Sequence, residues 1–305
     1  MMHFSSPRAI VSIATVAVAV LATVCSAASL PRLPVEAALD RRQGPNLVYP
    51  GNEAVQTGAF NLTAFIVPIP TADAAKLAGP FPLLPHGLPS SVVPAGMHPL
   101  MVHVGYFSDL RQDVVGLLPI RIDRLRAASF YIPFVDRIGT GRPFARSVVT
   151  LQDELVPVIV SRLTGLIDNR LASFDPPRAA YKEQGGRLTT SVFQGLSIAG
   201  IGIQRAAITA SFRKTTRGPI REDVLRGIIG QPYFVSDLTE ITDSCYKITY
   251  LYTFPDANPS FVEGALQLEV PTTRDRFNYD VAYGYTAATQ WILDPGLGRS
   301  CQSFA

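Results

Sequence analysis

Few side chains in this sequence have the type and spacing for chemistry. Its four histidines are His3, His86, His98 and His103, the last three close together. His86 and His98 fall in a proline-rich stretch. His103 alternates with Met101 and Gly105, as on a strand. A histidine works as a general base only with a proton donor in reach, and no Gly-x-Ser-x-Gly elbow supplies one. Gly139-Thr140-Gly141 lacks the rest of a phosphate-cradling loop. The histidines and cysteines are too few and too scattered for a metal centre, and no cofactor is implied. Of 27 basic residues only Lys76, Lys182, Lys214 and Lys247 are lysines. Amine chemistry therefore has four possible carriers.

The first 27 residues are expected to direct the chain out of the cell. Arg8 is followed by an apolar run from Ala9 to Val24 and by small residues at Cys25-Ser26-Ala27-Ala28. That order is a secretory signal, and the run is shorter than a spanning helix needs. Residues 28–42 form a Pro- and Ala-rich tail ending in Arg41-Arg42, read either as a propeptide or as a flexible arm. Residues 43–305 are expected to make one domain. Cys245 and Cys301 remain after signal removal, and an even pair in an oxidising compartment is expected to bridge. Asn61-Leu62-Thr63 is a sequon just before an apolar run, expected at the exposed start of a strand and glycosylated.

The formal charge is +3. Removing Arg8 leaves +2, and removing three arginines against Glu36 and Asp40 leaves +1. So neutral a surface offers no footprint for nucleic acid or, once the signal is gone, for a membrane.

Strand patterns dominate the elements that must position these groups. Residues 61–69 and 100–107 read as strands, residues 71–77 as a short helix, and residues 118–135 as one or two further strands. Thr150, with Asp153 three residues on, reads as the start of a helix running toward Leu163. A hairpin is expected over 188–212. Pro219 to Ile229 is the clearest helix, with Ile220, Val224, Leu225, Ile228 and Ile229 as its apolar stripe. In residues 245–254 the aromatic residues Tyr246, Tyr250, Tyr252 and Phe254 share a face with Ile248. In residues 277–291 one face is aromatic and the other small and polar, as in a barrel strand. The small polar face either lines a cavity or meets water.

Taken in order, these segments resemble the acetoacetate decarboxylase-like superfamily. The resemblance rests on the strand–helix–proline-loop opening, on residues 99–106 and 130–136, and on Gly165-Leu166-Ile167-Asp168-Asn169-Arg170-Leu171-Ala172. It implies a β-rich α+β fold, an antiparallel closed β-barrel or cone with a few short helices around an apolar cavity. The family's decarboxylases resemble Gly-x-Pro-Lys-Lys-Leu-Ala in the last segment, and their first lysine forms a Schiff base. Gly165, Leu171 and Ala172 match, but Asn169 and Arg170 stand where the lysine pair would be. An amide cannot form an iminium ion, and a guanidinium stays protonated. The imine route would need another lysine, and Lys247, mid-strand beside Cys245, is the best placed.

The resulting reading is a secreted small-molecule cavity protein. As a lyase- or cyclase-type enzyme it would act on a carbonyl or carboxylate compound without an imine, Asn169 and Arg170 holding an enolate or carboxylate and Asp136 or His103 moving protons. The alternative is a non-catalytic carrier of a small apolar or keto/carboxylate ligand, or a host-interaction protein that uses the barrel as a scaffold.

Overall fold

A computed structural model describes residues 45–113, 119–155, 158, 168–195, 204–235, 244–254 and 257–305, the side chains of 295–298 excepted. The expected signal and tail, residues 1–42, lie outside the described residues. So do the expected helix beyond Leu155, apart from Val158, and residues 165–167 of the family-like segment.

Among the described residues twelve strands and two α-helices follow in chain order. β1 is Gln56–Pro70, β2 Met97–Gln112, β3 Ile120–Asp136, β4 Pro143–Gln152 and β5 Asn169–Asp175. β6 is Lys182–Gln184, β7 Arg187–Gln194, β8 Arg205–Thr215 and β9 Tyr233–Phe234. β10 is Ser244–Leu251, β11 Ser260–Glu269 and β12 Arg276–Ser300. Helix α1 is Thr71–Ala78 and α2 is Glu222–Ile229. The strands form a closed nine-strand barrel in the order β1-β2-β3-β4-β5-β7-β8-β11-β12, with β12 returning to β1. It is mixed rather than purely antiparallel, because β4 runs parallel to both β5 and β9.

A second circuit grows from two strands that change partners along their length. β12 pairs with β11 through its first half and with β10 through its second. β4 pairs with β9 at Ala145 and Arg146, and with β5 at residues 150–152. β9 and β10 thus bridge β4 to β12 and cover the outer face of the β1–β3 sheet. Strands enclosed on both faces read as apolar runs rather than as alternation. In β1, Phe65, Val67 and Ile69 pack into one core, while Leu62, Ala64 and Ile66 pack into another. Helix α2 closes the second core with Leu225, Ile228 and Ile229. Each such side chain contributes about 1.5–3 kcal/mol on burial. Val224, expected in that stripe, is exposed.

β1 is pressed closely from both sides. A Cβ on Gly105 of β2 would run into the Asn61 carbonyl, and one on Gly284 of β12 into the Ala64 carbonyl.

Two expectations are corrected here, and one left open is resolved. Thr150 is not a helix cap; it lies in β4, paired with Ser129 and with Asn169. Of the two readings left open for the small polar face of β12, Asn278 and Asp280 take the solvent one, while Ala282 packs inside the nine-strand barrel. Asn61 is not at an exposed strand start, because β1 begins five residues earlier. It pairs with Ala288 on one side and Tyr106 on the other, is 3% exposed, and has a buried Nδ2. A glycan on that nitrogen has no room in this fold. The Cys245–Cys301 bridge is present. Among the described residues no helix is long and apolar enough to cross a membrane.

Candidate active chamber

The second core is where polar groups gather. Cross-strand partners point to the same face of a sheet, so the register defines a row of side chains. It runs Tyr285, Ala64, His103, Ser129, Thr150, Asn169 across β12, β1, β2, β3, β4 and β5. All six are buried. The Ser129 and Thr150 hydroxyls lie 3.0 Å apart, and Asn169 Nδ2 donates to Gln152 Oε1 at 3.3 Å. Two of the expected site residues, His103 and Asn169, therefore share a face. They stand three strands apart, roughly 14 Å.

Around His103 the second core leaves a small cavity of about 10 Å³, on the order of one water-sized sphere. Met101, His103, Tyr131 and Ala145 line it from the sheet. Ile229, Gln231, Tyr233, Ile248 and Tyr250 line it from the cover. Gln231 is fixed by accepting the Phe134 amide at 3.1 Å, where Phe134 takes a left-handed φ of 57° beside a bulge in β3. The aromatic rings form a contiguous wall. His103 lies 5.0 Å from Tyr131, Tyr131 6.0 Å from Tyr233, and Tyr233 5.4 Å from Tyr246, ring centre to ring centre. Tyr250, Tyr252 and Tyr285 continue it at 6.2 and 5.8 Å.

Burial sets the protonation of this wall. His103 is driven down to about 3 by desolvation, so its imidazole is neutral at ordinary pH. Its Nε2 is buried without a partner. Desolvation raises Tyr131 and Tyr246, and pushes Tyr233 and Tyr250 well above the usual phenol range. All four stay protonated and able to donate. Tyr246 and Tyr252 hydroxyls are also buried without partners.

One charged group approaches the wall. The Arg226 guanidinium of α2 lies 4.4 Å from the Tyr252 ring centre and donates to Tyr285 Oη through Nη2 at 2.9 Å. Glu222 pairs with it and accepts from Tyr285. Tyr285 is pushed up to about 12, by desolvation first and the Glu222 hydrogen bond second.

The remaining expected site residues lie elsewhere. Arg170 pairs in register with Leu151, whose side chain belongs to the barrel core, so it points away from His103. Its guanidinium is held by Asp168 at 2.8 Å and by the Pro271 carbonyl at 3.0 Å. Adjacent strand residues cannot both line one chamber, so Asn169 and Arg170 do not clamp a single ligand. Asp136 accepts the Thr140 and Gly141 amides at 3.1 Å each and shapes the β3–β4 turn. It lies seven residues along β3 from Ser129, roughly 20 Å away. Lys247 is exposed, as are Lys76, Lys182 and Lys214. Among the described residues no group of His, Cys, Asp and Glu could hold a metal ion. Of the tyrosines, Tyr246, Tyr250 and Tyr252 form the aromatic face read in residues 245–254, whereas Tyr131 in β3 and Tyr233 in β9 leave no sequence signal of their own.

Several solved structures show partial likeness to this chain. One is the enduracididine biosynthesis enzyme MppR with HEPES buffer bound, at TM-score 0.46 and 12% identity, covering 87% of this chain and 91% of that one. Another is acetoacetate decarboxylase from Legionella pneumophila subsp. pneumophila str. Philadelphia 1, at TM-score 0.41 and 12% identity, covering 78% and 87%. A third is an acetoacetate decarboxylase-like enzyme from Sphingomonas wittichii RW1, at TM-score 0.42 and 13% identity, covering 79% and 91%. Each is a protein this chain is similar to. No protein-family profile matches the sequence, and no curated protein does.

Proposed function

We propose that this chain is a secreted small-molecule cavity protein that holds a carbonyl compound non-covalently in the His103 chamber. One observation carries the reading: the described lining is one imidazole, three phenols, the Gln231 amide and otherwise apolar side chains, and every lysine of the sequence is on the surface. Phenols that remain protonated donate to a carbonyl oxygen, and no amine is within reach to condense with the carbon. The cavity is small as it stands, so a ligand of several heavy atoms enters only as the flexible Met101 side chain swings aside.

Retention is better supported than turnover. A general base works best with a pKa near the operating pH, and His103 at about 3 is far too weak a base. No carboxylate stands in the described lining. The lyase or cyclase reading keeps one observation in its favour: phenols aimed at a carbonyl oxygen would also stabilise an enolate.

Calorimetric titration with small ketones tests the site. Binding is expected for the unaltered chain and should be lost in Ala145→Leu, which fills the cavity. Arg170→Ala should bind as the unaltered chain does. Borohydride added with a β-keto acid should trap no adduct. A covalent adduct, or ketone binding that ignores Ala145→Leu, would sink the reading.

A further inference from the structure

The chamber's polar groups also say which carbonyl compounds it takes. This step rests on the reading of the His103 chamber as a binding site. We infer that the site selects neutral ligands bearing a hydroxyl beside the carbonyl, and rejects carboxylates.

Charge is the first discriminator. None of the nine side chains lining the cavity is ionised. An anion moved there leaves water without a counter-charge, which is the costliest kind of burial. The cation nearest the wall, Arg226, is already satisfied by Glu222, by Tyr285 and by the face of Tyr252. The other cation suggested by sequence, Arg170, is on the opposite face of the sheet and closed by Asp168 and Pro271.

The second discriminator is His103. His103 lines the cavity, and its buried Nε2 has no partner, although a buried polar atom without one costs about 1–3 kcal/mol. A neutral imidazole presents either a lone pair or an N–H at that atom, according to tautomer. A hydroxyl can accept or donate, so it satisfies Nε2 in either case. A bare ketone matches only the N–H form, and that leaves the phenols competing for the same oxygen. Tyr233 and Tyr250 line the cavity from the cover, opposite His103, and their phenols can donate to the carbonyl there. A ligand with adjacent hydroxyl and carbonyl oxygens satisfies both walls at once.

Three ligands with the same number of carbons separate these effects in the unaltered protein: 3-hydroxy-2-butanone, 2-butanone and acetoacetate. Calorimetry should rank them in that order. Loss of the hydroxyl should weaken binding about tenfold, the equivalent of one hydrogen bond. The carboxylate should weaken it a further tenfold or more. His103→Phe should abolish the preference for 3-hydroxy-2-butanone over 2-butanone, whatever the absolute affinity of the variant. Acetoacetate binding as tightly as either neutral compound overturns the charge argument. Equal affinity for the two neutral compounds in the unaltered protein overturns the role of His103. If none of the three binds, the cavity reading itself falls, and this inference with it.

Discussion

A single imidazole shows how a residue can matter to both stability and recognition. The folded chain refuses a proton at His103 until about pH 3, whereas an unfolded histidine accepts one near 6.5. The stabilisation is therefore complete above pH 6.5 and is lost as pH falls toward 3. The loss approaches 1.4 kcal/mol per pH unit, or about 2 kcal/mol between neutrality and pH 5. Denaturant unfolding from pH 7 to 5 should show a steeper fall for the unaltered chain than for His103→Gln, by close to one proton. Identical slopes would mean that His103 is hydrated. His98 is also lowered by burial, chiefly desolvation, and it contributes equally to both proteins, so the difference isolates His103.

At the scale of elements, β1 is the strand on which both cores depend, and glycine lets its neighbours approach. Gly105→Ala would push a methyl against the Asn61 carbonyl, a backbone atom that cannot rotate away. Overpacking of this kind costs about 3 kcal/mol, and a fall in midpoint denaturant concentration without a change in slope would register it. An unchanged midpoint would show that the β1–β2 spacing is looser than described. This scale is also where sequence reading succeeded and failed. Helices α1 and α2 and the long strands were legible because their periodicity extends over many residues. Thr150 misled because Thr-x-x-Asp is a local signal, and pairing with strands on both sides overrode it. Asn61 misled because the strand start was placed by where the apolar run begins, although β1 starts earlier, at a polar Gln-Thr pair. The chamber was illegible for a topological reason. β9 is two residues long, too short to leave a pattern, yet it is the strand that joins β10 to β4 and encloses the aromatic face.

The whole molecule is tied at one seam. Cys245 is the second residue of β10 and Cys301 follows β12, so the bridge locks the start of the cover strand to the end of β12. A separation of 56 residues is worth about 4 kcal/mol in the chain-entropy model. For a domain of this size that corresponds to a fall in Tm of roughly 8–16 °C on reduction. The Cys245→Ala/Cys301→Ala double variant should show the same fall and should bind ketones more weakly. An unchanged Tm under reducing conditions would mean that the two circuits hold each other closed without help.

The pairing of β1 with β12 has a consequence for how the molecule is made. Gln56 finds Leu293 as its partner, and β1 holds apolar side chains on both faces. A chain emerging from the ribosome at about 5–20 residues per second exposes β1 for between roughly ten seconds and a minute before β12 exists. During that time neither circuit can close, and the strand most in need of cover has only β2 beside it. A chain that stops before β12 will present the same surface permanently to quality control.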